Sequence, residues 1–174
     1  MNWWDWEVSD LDPLPVFAGG YSLSAVQSIV SDAFHSAREQ IARSGDLEVV
    51  GIVWSDSTIS PLINQARSAT RFSVSESLFA ETIAAVNPAE KTMVSLYHSH
   101  PGDNPRPSKL DSDMIVTQFN DRNLLIPWTI ITHSRPLWGL WWANSLKKIQ
   151  GVIRLQPFVS ESNPERYANV SASN

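Results

Sequence analysis

The sequence predicts an α/β domain of the α+β kind, one mixed β-sheet with helices on its faces. Helical and strand-like segments alternate early in the chain, two strand-like segments near the end can fold on each other, and the composition suits a packed core. Of the 174 residues, 43% are hydrophobic and 18% charged, which is too apolar for a disordered chain. That length accommodates one domain with short extensions.

From Ser22 to Arg43, Leu23, Val26, Val30, Ala33, Phe34, Ala37 and Ile41 recur at the spacing of one helix face. Ser22 or Ser24 can cap this helix and Gly45 can end it. Leu47–Trp54 is short and β-branched, so it predicts a strand, with Gly51 as a bulge or a point of close approach. After the turn at Ser55-Asp56-Ser57, Thr58–Asn64 can pair back, and Arg71–Val74 can form another short strand. Leu78, Phe79, Ile83 and Val86 mark a helix over Ser75–Val86 that stops before Pro88. Thr92–His100 again predicts a strand. Pro101–Pro107, with three Pro and a Gly, must be a loop, and a helix then runs from Ser108 to about Phe119. Pro127–Thr132 and Leu137–Trp142 predict a hairpin around Ser134-Arg135-Pro136.

The domain is expected over residues 21–155, behind a Trp-rich arm at 1–20. A flexible tail is expected at 156–174, where Ser, Asn, Pro and Glu take over. Four of the eight Trp fall between positions 128 and 142 and are expected in the core, with a partner-binding surface as the other use of so many indoles.

Charge and composition remove several functions. A net charge of -5, with no Lys/Arg cluster beyond Lys147-Lys148, argues against nucleic acid or an anionic membrane as partner. There is no Cys, hence no disulfide, thiol nucleophile or cysteine-held metal. The first seven residues carry three Trp and two acids and do not resemble a secretory signal, and no apolar run reaches membrane-spanning length. A cytoplasmic protein is the expectation, or one carried in a virion if it serves particle assembly.

The chemistry concentrates in Val94-Ser95-Leu96-Tyr97-His98-Ser99-His100-Pro101, followed by six loop residues and Ser108-Lys109-Leu110-Asp111. Residues i and i+2 of a strand share a side, so His98 and His100 can present two imidazoles to one metal ion while Ser99 faces away. Asp111, in the first turn of the next helix, can supply a third ligand and leave one position open, as in a catalytic zinc site. Each piece also has an ordinary explanation: His-x-His occurs on surface strands, and Ser108-x-x-Asp111 is a helix capping box. Asp103 and Asp113 are rival carboxylates, but Asp103 is in the loop and Asp113 is turned about 200° from Asp111 on a helix. Glu48 by itself suits a solvent-facing edge strand, because an ionised Glu is costly to bury.

Taken together, His-Ser-His-Pro, six residues and Ser-x-x-Asp resemble the JAMM motif of MPN (JAB1/MPN/Mov34) metalloproteases. Glu48-Val49-Val50-Gly51-Ile52 resembles the upstream glutamate segment of that family, and Asn64 and Phe72 fall where its members carry an Asn and a Phe. The resemblance covers about residues 22–145 and implies a JAB-like, cytidine-deaminase-related fold with Zn2+ held by His98, His100 and Asp111. It further implies that Glu48 holds and deprotonates a zinc-bound water and that the Ser108 hydroxyl stabilises the oxyanion. The reaction implied is hydrolysis of a peptide or isopeptide bond, as by a deubiquitinase, at the extended C-terminal tail of a ubiquitin-like protein. The chain would be a compact prokaryotic or phage-type member. The alternative is an assembly protein, for example in a phage tail tip, that docks a partner through its Trp-rich arm.

Overall fold

The computed structural model describes residues 14–68, 70–122, 125–144 and 146–156. Most of the expected Trp-rich arm and all but the first residue of the expected tail lie outside the described residues. A short ribbon of β1 (Val16–Phe17) and β2 (Tyr21–Ser22) leads into helix α1 (Leu23–Ser44). Ser22 caps the helix, its Oγ accepting from the Ala25 N–H at 3.2 Å, which satisfies one of the free donors of the first turn. Strands β3 (Val50–Trp54) and β4 (Ile59–Leu62), helix α2 (Glu76–Ala84), β5 (Met93–His100), α3 (Lys109–Arg122), β6 (Trp128–Thr132), β7 (Leu137–Ala143) and β8 (Ile149–Leu155) follow.

One six-stranded sheet results, in the order β4-β3-β5-β6-β7-β8. All neighbours are antiparallel except β5 and β6, which run parallel because α3 carries the chain across between them. This is the mixed sheet with flanking helices that the sequence predicts. α1 packs on one face, where Val26, Val30, Phe34 and Ile41 meet Val53, Tyr97, Leu140 and Trp142. On the other face Val50, Ile52, Leu96 and Ile130 meet Ile115 of α3, with Leu78 and Phe79 of α2 alongside. Because side chains alternate along β5, Tyr97 and Ser99 belong to the α1 face and His98 to the α3 face. Trp54, Trp128, Trp138, Trp141 and Trp142 are all buried, as expected of core indoles.

The departures from the predicted elements have local causes. The strand expected from Leu47 begins at Val50, because the Glu48 N–H goes to Ser68 O at 2.9 Å and the Val49 N–H to the Ser99 side chain at 2.9 Å. The strand expected at Arg71–Val74 does not form, since that stretch is held mainly by bonds to the Asn64 side chain. β8 has no predicted counterpart: Gly151 interrupts its pattern, and a Cβ there would strike Leu140 O and the Trp141 ring. Gly51 is a point of close approach, because the Tyr97 ring fills the space a Cβ would need.

The proline-rich loop after β5 is anchored at defined points. Trp141 Nε1 donates to Pro105 O at 2.9 Å, Ser134 N to Gly102 O at 3.0 Å, and His133 N to His100 O at 3.1 Å. Gly139 makes room for this docking: a Cβ there would lie 2.7 Å from Pro105 O and run into Trp141. Gly139→Ala should therefore displace the loop and cost about 1–3 kcal/mol, the usual range for overpacking, measured as a lowered midpoint in denaturant unfolding.

Candidate metal centre

β5 ends with His98 fully buried and His100 half-buried at its margin. The chain leaves through the anchored loop and returns as α3, whose first turn places Asp111 against both rings. His98 Nε2 lies 3.2 Å from Asp111 Oδ1, His100 Nε2 lies 2.9 Å from Asp111 Oδ2, and the two Nε2 atoms are 3.2 Å apart. Among the described residues these form the one group of three or more potential metal donors within 4.8 Å of one another. Asp113 and Asp103 are exposed and outside it. His35 pairs with Glu39 on the surface of α1, away from the cluster.

Asp111 is fixed by the capping box. The Ser108 N–H donates to Asp111 Oδ2 at 2.8 Å and the Asp111 N–H to Ser108 Oγ at 3.1 Å, so the cap that starts α3 also aims the carboxylate. The rings are oriented in different ways. His100 Nδ1 is 3.1 Å from Asn104 O, the outer hydrogen bond typical of a ligating imidazole. His98 Nδ1 is buried and has no hydrogen-bond partner among the described residues, and its ring is held by packing against Phe72 at 4.7 Å and Trp128 at 5.5 Å between centroids.

Charge states follow from these surroundings. Burial lowers the pKa of His98, outweighing the pull of Asp111, which favours the neutral imidazole that a metal ion requires. For Asp111, burial works toward a higher pKa, but hydrogen bonds from His100 and His98 hold the carboxyl well below the usual carboxylate range. For His100, burial works downward, yet the Asp111 bond and charge prevail and raise it. Two imidazole nitrogens and a carboxylate converge within about hydrogen-bond distance, and only a proton or cation between them relieves the repulsion of their lone pairs. The donor set therefore fits a divalent ion of the zinc kind.

Glu48 is buried just ahead of β3, near enough to His100 and Asp111 to feel both charges. Burial first, with the Asp111 charge adding to it, pushes its carboxyl up to about 7 against the pull of His100. Ser108 is exposed at the start of α3. The structure thus brings His98, His100 and Asp111 together, places Glu48 within electrostatic reach of them, and sets Ser108 on the same helical turn as Asp111.

Two supporting residues have roles the sequence does not spell out. Ser99, facing away from the donors, accepts from the Val49 N–H and sits 2.7 Å from His133 Nε2. Asn64 reaches the Glu48 carbonyl. For Asn64 the available signal was the family resemblance, which locates it together with Phe72 without saying what they touch.

The profile of the family described as prokaryotic homologs of the JAB domain matches residues 30–144, a span that includes the whole cluster and Glu48. This chain belongs to that JAB family. Among solved structures, protein DSY2949 from Desulfitobacterium hafniense superposes with a TM-score of 0.54 over 74% of this chain and 93% of that one, at 17% identity. That likeness shows a shared fold. No curated protein matches the chain.

The geometry makes a selective expectation. Purified chain should retain about one zinc ion, and His98→Ala or Asp111→Ala should lose it, whereas Asp113→Ala should keep it; metal analysis after dialysis decides. Zinc retained by Asp111→Ala but lost by Asp113→Ala would move the site.

Proposed function

We propose that this JAB-family chain is a zinc-dependent peptidase or isopeptidase acting on the extended C-terminal tail of a ubiquitin-like or similar protein. The observation that carries the proposal is the convergence of His98 Nε2, His100 Nε2 and the Asp111 carboxylate, with a second buried carboxyl at Glu48 poised near neutrality. Zinc at the cluster would supply a Lewis acid and a water acidified toward a pKa of about 7.

The residues of the chain account for the rest. Ionised Glu48 accepts a proton from the attacking water and returns it to the departing amine, so water is added across the C–N bond and an acid and an amine leave. A carboxyl with a pKa near ambient pH suits both transfers, because neither protonation state is scarce. Ser108 Oγ accepts from the Asp111 N–H, which leaves its own O–H to donate to the developing oxyanion at the N-terminus of α3. His98 is fully buried, while Ser108 is exposed, so approach is from the Ser108 side. A thin chain of small residues, as in a Gly-rich tail, lets its backbone come close to a site so deeply set. Among the described residues no helix is long and apolar enough to cross a membrane.

Glu48→Gln keeps the shape and some hydrogen bonding of the side chain but cannot accept the proton. Zinc content and fold should be those of the parent, and turnover of a peptide ending in Gly-Gly, amide-linked to a fluorophore, should fall about 10²-fold or more. The sign of the pH effect follows from the role: the base works ionised, so the parent's kcat/KM should fall as pH drops through Glu48's pKa. That limb should lie at or below about 7, since a bound cation lowers the pKa further, and the residual activity of Glu48→Gln should lack it. A parent that binds zinc but cleaves no such peptide would favour a scaffold role in an assembly, such as a phage tail, docked through the Trp-rich arm.

A further inference from the structure

Glu48 does not belong to the regular ladder of the sheet. Its N–H is taken by Ser68 O at 2.9 Å and its carbonyl by Asn64 Nδ2 at 3.0 Å, so both backbone groups are bonded to the segment after β4. That segment has little regular structure of its own. Arg67 takes a positive φ of 44°, and the Gln65 N–H reaches Ser73 O at 2.8 Å. What gathers it is one carboxamide. Asn64 Nδ2 also donates to Arg71 O at 3.2 Å, and Oδ1 accepts from Ala66 N at 3.1 Å and Ser73 N at 3.0 Å. Two donor hydrogens and two acceptor lone pairs are all that an Asn side chain has, and here each is used.

We infer that Asn64 is a positioning residue: its side chain holds the Glu48 backbone in register with the metal cluster and, through the loop it closes, seats Phe72 on the His98 ring. This rests on the reading of Glu48 as the proton acceptor. Arg71 and Ser73, the two residues that flank Phe72, are both bonded to Asn64, and the Phe72 ring lies 4.7 Å from that of His98. One side chain therefore connects the proposed base to a neighbour of the first ligand, beside the β3–β5 ladder that begins at Val50 and His98. The Val49 N–H, the other end of the same peptide unit, donates to Ser99 Oγ, so the Glu48–Val49 peptide is held by β5 on one side and by Asn64 on the other.

Asn64→Asp has nearly the same volume but no donors, and would set a carboxylate against two carbonyl oxygens. Asn64→Ala removes all four bonds. In the metal-free full-length chain, amide exchange at Glu48 should quicken by about tenfold in both variants, and exchange at Ser73, whose N–H donates to Asn64 Oδ1, should quicken likewise in Asn64→Ala, with Ile52 and Leu96 unchanged within about twofold. In the zinc-loaded chain, kcat on the Gly-Gly peptide should drop by roughly 10–10²-fold, with KM and zinc content held within about twofold, the pattern of a misplaced catalytic group. The inference is overturned if Glu48 exchange is unchanged, if Ile52 and Leu96 quicken equally, if zinc is lost, or if kcat survives the broken clamp. Exchange needs no turnover, so a parent that cleaves nothing would overturn the hydrolase reading while the Glu48 amide still decides the clamp.

Discussion

Two imidazole nitrogens and both oxygens of a carboxylate face one another within 2.9–3.2 Å, in a place where one of the rings has no contact with solvent. Such a cluster is stable only around positive charge, and the surrounding structure serves to keep it assembled. The period-two alternation of β5 gives the imidazoles a common side, and the capping box turns Asp111 toward them. Between these lies a loop with three prolines whose path would be soft if it hung free. It is pinned by the Trp141 indole, by Ser134 and by His133, and Gly139 exists as bare backbone where the loop comes closest. The buried Trp residues between positions 128 and 142 thus have a second use besides filling the core: one of them fixes the loop between the strand and the helix that carry the three donors.

Elements with a strong local period were legible. The α1 face, β5, the start of α3 and the β6–β7 hairpin lie within a residue or two of their expected bounds, because the residues that specify each lie within it. Asp111 could be preferred over Asp113 for the same reason, since 100° of helical rotation per residue is a local property. What escaped depends on contacts distant in sequence. Strand pairing was anticipated at Leu47–Val49 from its β-branched character, yet those amides go to Ser68 and to the Ser99 hydroxyl, partners that no local pattern names. Arg71–Val74 has strand-like residues but is claimed by a side chain seven or more positions earlier. β8 was hidden because Gly151, which admits the Trp141 ring, breaks the alternation that marks a strand.

Glu48 shows how the fold resolves a conflict between sequence levels. An ionisable residue in an apolar segment is locally unfavourable, and taken alone it suits a wet edge. The structure buries it instead, with its backbone tied on both sides. The two carboxyls of the site then experience opposite environments. Asp111 receives hydrogen bonds from two imidazoles and a backbone N–H, which hold it ionised. Glu48 has burial against it and the Asp111 charge nearby, which move it up to about 7. Like side chains pushed apart in this way suit different work, the low one holding a cation and the high one exchanging a proton near neutral pH, which are the roles proposed for them. The division is not written in either residue. It arises because β5 and α3 converge on Asp111 while Asn64 and Ser99 hold Glu48 beside them, one step removed from the donors.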